Sequence, residues 1–151
     1  MCGIFGVVVG QNSGLTSTFT KKTVSLLFRL SESRGKEASG LVFRAGSQII
    51  VLKEPVSATR LIKTEIFSNL FNNYVIKPDS SSDIIKKPFA VLGHSRLVTS
   101  GKSELNSNNQ PVIKDGSVGI HNGVIVNEIR LWQDFPLIKK GWLLHHPCIH
   151  C

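Results

Sequence analysis

The chain has 151 residues, 41% hydrophobic and 19% charged, which suits one globular domain with a buried core and excludes a collagen, a coiled coil or a disordered segment. Eighteen basic against ten acidic side chains give a formal charge of +8, yet the basic residues are scattered singly or in pairs (Lys21-Lys22, Lys86-Lys87, Lys139-Lys140) with no recognition signature beside them. A solvated, mildly basic surface is therefore expected, and no nucleic-acid partner.

The opening run from Cys2 to Gly10 is apolar, rich in β-branched residues and closed by turn formers, so it reads as a buried strand. Its apolar part, Ile4 to Val9, is far too short to cross a bilayer, and no basic segment precedes it as in a secretory leader. Thr20 is placed to cap a helix over roughly 21–32, with Val24, Leu27 and Phe28 at helical spacing. Two strands follow, around 39–45 and 48–54, joined by a tight turn at Ala45-Gly46-Ser47. Ser57 starts a second helix to about Tyr74, with Ile62, Ile66, Phe67, Leu70 and Phe71 on one face. Residues 77–83 form a polar loop, Phe89 to Gly93 and Val118 to Val126 read as buried strands, and the Ser/Asn/Gly-rich stretch Thr99 to Pro111 reads as a surface loop. A third helix begins near Asn127. Strands at the start, middle and end with helices between them predict a layered α+β fold.

Three cysteines (Cys2, Cys148 and Cys151) make a poor disulfide framework, so a reducing, cytoplasmic setting with free thiols is expected. Cys2 lies directly behind the initiator Met1, and small residues there permit removal of the methionine. One residue would then carry both a thiol and an α-amine. The amine can help to deprotonate its neighbouring nucleophile. Position alone is weak, because a lone Cys in an apolar strand is more often a small buried hydrophobe.

Three further segments bring polar residues and glycines beside strand ends: Ser33-Arg-Gly-Lys-Glu-Ala-Ser-Gly40, Gly93-His-Ser-Arg-Leu-Val-Thr-Ser-Gly101 and Gly119-Ile-His-Asn-Gly-Val-Ile-Val-Asn127. With Cys-Gly-Ile-Phe-Gly at the start, these motifs occur in order over residues 2 to about 130. Together they resemble the class II glutamine amidotransferases of the N-terminal-nucleophile hydrolase superfamily. Related domains open glucosamine-6-phosphate synthase, asparagine synthetase and amidophosphoribosyltransferase.

The resemblance implies a layered αββα sandwich of antiparallel sheets and a glutaminase reaction with no cofactor and no metal. Cys2 attacks the side-chain amide of glutamine, releases ammonia and leaves a γ-glutamyl thioester for water, with its α-amine as base. The Asn122 side-chain amide and the Gly123 N–H match the oxyanion hole. Arg96 matches the arginine that holds the substrate α-carboxylate, Thr99 lines the same pocket, and Arg34 supports the structure near the nucleophile. His94 reads as a packed core histidine. Leu97 and Ser100 depart from the pattern, which commonly has an aromatic and a histidine there.

The segment 141–151, Gly-Trp-Leu-Leu-His-His-Pro-Cys-Ile-His-Cys, does not match the family. An acidic residue that binds the substrate ammonium is expected there and has no counterpart; Asp134 lies too early. The resemblance thus covers a partial domain over 1–140, incomplete at its C-terminus, followed by an atypical tail. His145, His146, Cys148, His150 and Cys151 lack a second distant ligand pair, so a zinc site is not expected. The implied partners are glutamine and a separate synthase domain or subunit that accepts the ammonia. The alternative is a catalytically impaired remnant that acts at most as an interaction module.

Overall fold

A computed structural model describes residues 2–74, 83–97, 109–114, 116–123 and 125–136. The predicted Thr99 site, the 77–82 part of the polar loop and the 141–151 tail lie outside the described residues. Helices and antiparallel sheets mix in an α+β arrangement. Strand β1 spans Gly3–Val9, helix α1 Ser17–Glu32, and strands β2 and β3 Ala38–Ala45 and Gln48–Glu54. Helices α2 (Ala58–Leu61) and α3 (Glu65–Tyr74) come next, then strand β4 (Phe89–Arg96). A short hairpin of β5 (Val112–Lys114) and β6 (Ser117–Gly119) precedes helix α4 (Glu128–Asp134). Among the described residues, no helix is long and apolar enough to cross a membrane.

The larger sheet has the order β1-β4-β2-β3, all neighbours antiparallel. Because side chains alternate across a strand, Phe43, Leu41, Phe89 and Val91 share one face, and helices cover it. Phe28 of α1 packs edge-on against Phe5 of β1 at 4.7 Å between ring centroids. Phe43 stacks on Phe89 at 5.2 Å and meets Phe71 of α3 at 6.0 Å. Phe28, Phe43, Phe67 and Phe71 are fully buried, and each such ring removes a large apolar area from water.

Several element boundaries differ from the sequence expectation, each for a local reason. Helix α1 starts earlier because Thr16, in extended conformation, accepts the Phe19 N–H on its hydroxyl at 3.1 Å. Thr20 lies inside the helix instead, its hydroxyl donating back to the Thr16 carbonyl. Asp83 reinforces this end: its carboxylate accepts from the Ser17 hydroxyl and the Thr18 N–H, an anion where the helix dipole is positive.

The expected helix over 57–74 is broken by Thr64, whose hydroxyl accepts the Phe67 N–H at 3.2 Å and so caps α3 as a separate helix. Phe67, Leu70 and Phe71 turn inward as expected, whereas Ile66 faces solvent. Strand β4 runs past Gly93 to Arg96, and β6 ends at Gly119 instead of continuing to residue 126. The stretch read as a surface loop to Pro111 ends in buried residues: Asn109, Gln110 and Pro111 are all inside.

Candidate active site

Sheet register assembles the motif residues at one end of the sheet. Gly3 pairs with Ser95, so Cys2, just ahead of β1, lies next to Arg96 and Leu97 at the end of β4. On the other side of β4, Ala38 pairs with Arg96, which brings in the 33–37 loop. Serine hydroxyls pin this corner beneath the sheet. Ser31 donates to the Phe28 carbonyl at 2.8 Å, so its oxygen receives the Ser95 proton at 2.6 Å.

The loop fits only because residue 35 is glycine. A Cβ there would stand 2.2 Å from the Arg96 carbonyl carbon and 2.3 Å from the Leu97 nitrogen. Both are backbone atoms that no rotamer change can move. Gly35→Ala is expected to cost about 3 kcal/mol in stability, read from urea unfolding midpoints at unchanged slope. Glu32 anchors the same loop to α2, its carboxylate accepting the Thr59 N–H at 2.5 Å. Burial raises the Glu32 carboxyl, but the hydroxyl and N–H of Thr59 and the charge of Lys36 outweigh that and hold it below the usual carboxylate range. An open cleft of about 470 Å3 runs along Glu32–Glu37 and Leu97, with exposed Arg34 on its wall.

Cys2 is half-buried, and its thiol points at the Leu97 carbonyl, 3.8 Å from Sγ to oxygen. Its backbone is gripped from 120 residues away: Cys2 N donates to Asn122 Oδ1 at 3.0 Å, and Asn122 Nδ2 donates to the Cys2 carbonyl at 2.9 Å. The carboxamide thereby imitates a strand partner for one residue. Its orientation is determined by the partners, since an N–H must face the oxygen and a carbonyl the nitrogen. Nδ2 carries two hydrogens, of which the Cys2 carbonyl takes one. Gly123 follows directly, with the His121 imidazole about 3 Å from where a Cβ would project.

Arg96 is almost completely buried, and its Nη1 donates to Asn109 Oδ1 at 2.8 Å. This bond orients one arm of the guanidinium toward a neutral amide. Gln110, also buried, spans the His121 main chain: Oε1 accepts the His121 N–H at 2.5 Å, and Nε2 donates to the His121 carbonyl at 2.9 Å. Asn109 and Gln110 were not singled out from sequence. The available signal was two amide side chains immediately before Pro111, in a stretch whose polarity suggested solvent.

His94 lies on the same sheet face as Arg96, fully buried, and neither ring nitrogen has a partner among the described residues. Burial, helped by the Arg96 charge, pushes its pKa down to about 4. An unfolded histidine titrates near ~6.5, so between there and pH 4 the unfolded chain binds more protons and stability falls as pH falls. The loss should reach about 3 kcal/mol by pH 4 and be absent in His94→Leu, measured as the difference between the two proteins' urea unfolding free energies at each pH.

The geometry therefore joins the Asn122 side chain to the Cys2 backbone, with Gly123 next along the chain, sets Arg96 on the neighbouring end of β4, and places Arg34 on the adjoining cleft. No known protein-family profile matches the chain. The chain is similar to amidophosphoribosyltransferase from Methanocaldococcus jannaschii, at 28% identity over 141 residues. The match covers 91% of this chain and 25% of that protein, so the chain spans about a quarter of the length of this curated relative.

Proposed function

We propose that the chain is a class II glutamine amidotransferase domain that hydrolyses glutamine to glutamate and ammonia at Cys2. The observation that carries this reading is the double hydrogen bond from Asn122 to the Cys2 backbone, which joins the first and last motifs at one point. The amidophosphoribosyltransferase similarity supports it, since such proteins belong to the family that the motifs resemble. The four-stranded sheet with helices on one face and a separate β5–β6 pair supports the layered αββα architecture. On this reading the domain covers 1–140, glutamine is the substrate, and a synthase domain or subunit takes up the ammonia in the cytoplasm.

Removal of Met1 converts Cys2 N into an α-amine, and Asn122 Oδ1 accepts one of its hydrogens. The amine lone pair takes the thiol proton, directly or through a water, and sulfur attacks the amide carbon of glutamine. Negative charge builds on the amide oxygen, within reach of the second Nδ2 hydrogen of Asn122 and the Gly123 N–H. The ammonium returns its proton to the departing nitrogen as the C–N bond breaks, giving ammonia and a thioester. A water that loses its proton to the amine then releases glutamate and restores the thiol. Arg96 holds the α-carboxylate of glutamine; by the motif match Thr99 lines the same pocket and Arg34 supports the structure near the nucleophile.

Intact-protein mass spectrometry with a glutamine-mimicking diazoketone tests the reading. Loss of Met1 and a single adduct on Cys2, suppressed by excess glutamine, are expected. Retained Met1, or a folded chain with no glutamine-protected adduct, overturns it and leaves a remnant without turnover.

A further inference from the structure

We propose that the adjacent residues Asn109 and Gln110 form a paired positioning unit, Gln110 setting the oxyanion segment through His121 and Asn109 setting the guanidinium of Arg96. The proposal rests on the glutaminase reading for its catalytic consequences, and on geometry alone for the contacts themselves.

Both side chains are buried, 1% and 3% exposed, in a stretch otherwise composed for solvent. A buried amide is stable only where its donors and acceptors are matched. Gln110 meets that condition by spending its carboxamide on both main-chain groups of one residue, His121. The next residue, Asn122, does the same to Cys2. A continuous relay results, from Gln110 to His121, along the chain to Asn122, and on to Cys2, in which each carboxamide holds the N–H and the carbonyl of one residue.

The base of the relay is fixed against β2. The Gln110 carbonyl oxygen lies 2.1 Å from where a Cβ on Gly40 would stand, so glycine there lets the segment press onto the strand. One residue before, Asn109 Oδ1 accepts from Arg96 Nη1 at 2.8 Å. A single buried dipeptide thus sets the spacing between the group proposed to bind substrate and the group proposed to stabilise charge in the transition state. Pre-set spacing of this kind is what converts binding into rate.

The test compares Gln110→Met, Gln110→Glu and Asn109→Ala in the 151-residue chain for kcat and KM with glutamine, for melting temperature, and for amide hydrogen exchange at His121. Gln110→Met keeps the volume and removes both bonds, so kcat should fall about 30-fold with KM within about threefold. Gln110→Glu keeps an acceptor for the His121 N–H but sets a second oxygen against the His121 carbonyl, so it should not recover that loss. Asn109→Ala should instead raise KM about tenfold with kcat nearly unchanged. His121 exchange should accelerate at least about tenfold in Gln110→Met while the core amides stay protected.

Unchanged His121 exchange overturns the proposal even if wild-type chain hydrolyses glutamine. Equal losses in kcat and KM terms for both residues, tracking the folded fraction, overturn it as well. A wild-type chain with no turnover but accelerated His121 exchange in Gln110→Met removes the glutaminase reading and retains the positioning contact.

Discussion

Cys2→Ser should lower glutamine hydrolysis by at least about 10³-fold, with the melting temperature within a few degrees of wild type. Serine is nearly isosteric with cysteine at this half-buried position, so packing at the start of β1 changes little. It is also small enough to permit removal of Met1, so the α-amine and its bond to Asn122 persist. Only the acidity and nucleophilicity of the attacking atom change. An amine can share a proton with a thiol, but it is far too weak a base for an alcohol. Retaining Met1 by blocking its removal should give a similar loss with the thiol intact, because Cys2 N then remains an amide without a basic lone pair. Turnover of Cys2→Ser within about tenfold of wild type would remove Cys2 from the chemistry.

How much was legible in the sequence divides along a physical line. The position of strand β1, the β2–β3 hairpin turning at Gly46 and the inward face of Phe67, Leu70 and Phe71 were legible, because local periodicity and turn chemistry decide them. Strand β1 is, however, an edge strand with Ile4 and Val8 exposed and not the buried strand its apolar run suggested. The break at Thr64 was obscured by an apolar pattern that continues through it, although Thr64-Glu65 has the composition of a helix start. The extension of β4 through His94, Ser95 and Arg96 was not legible as strand, although His94 was read as a packed core histidine and is one. All three are buried because they meet α1, the sheet or the 109–123 segment, and that information is tertiary. The same applies to Asn109 and Gln110. Cys2 and Asn122 were singled out as candidates through the order of motifs, but the hold of Asn122 on the Cys2 backbone spans 120 residues and could not be derived from spacing.

Asn122→Ala should reduce kcat for glutamine by at least about 10³-fold, the top of the range for removal of one fixed oxyanion donor. The structure makes the loss larger than a donor deletion alone would suggest, because the same carboxamide also holds both sides of the Cys2 backbone. Alanine frees the Cys2 nitrogen and carbonyl together, so the position of Sγ relative to Gly123 is no longer set by residue 122. KM should change much less, since Arg96 is oriented through Asn109 and not through Asn122. Asn122→Asp separates the two roles. It keeps an oxygen to accept from Cys2 N, but replaces the donor by a second acceptor and adds negative charge where the oxyanion develops. A carboxylate also favours the protonated ammonium over the free amine, so the base is withdrawn at neutral pH. The Asp variant should therefore be at least as slow as Ala, and its rise in rate as the amine deprotonates should be displaced to higher pH than that of Ala. Steady-state kinetics of both variants between pH 6 and 9 read these outcomes. Equal and pH-parallel losses would mean that Asn122 contributes a donor only, and that its grip on Cys2 has no bearing on the base.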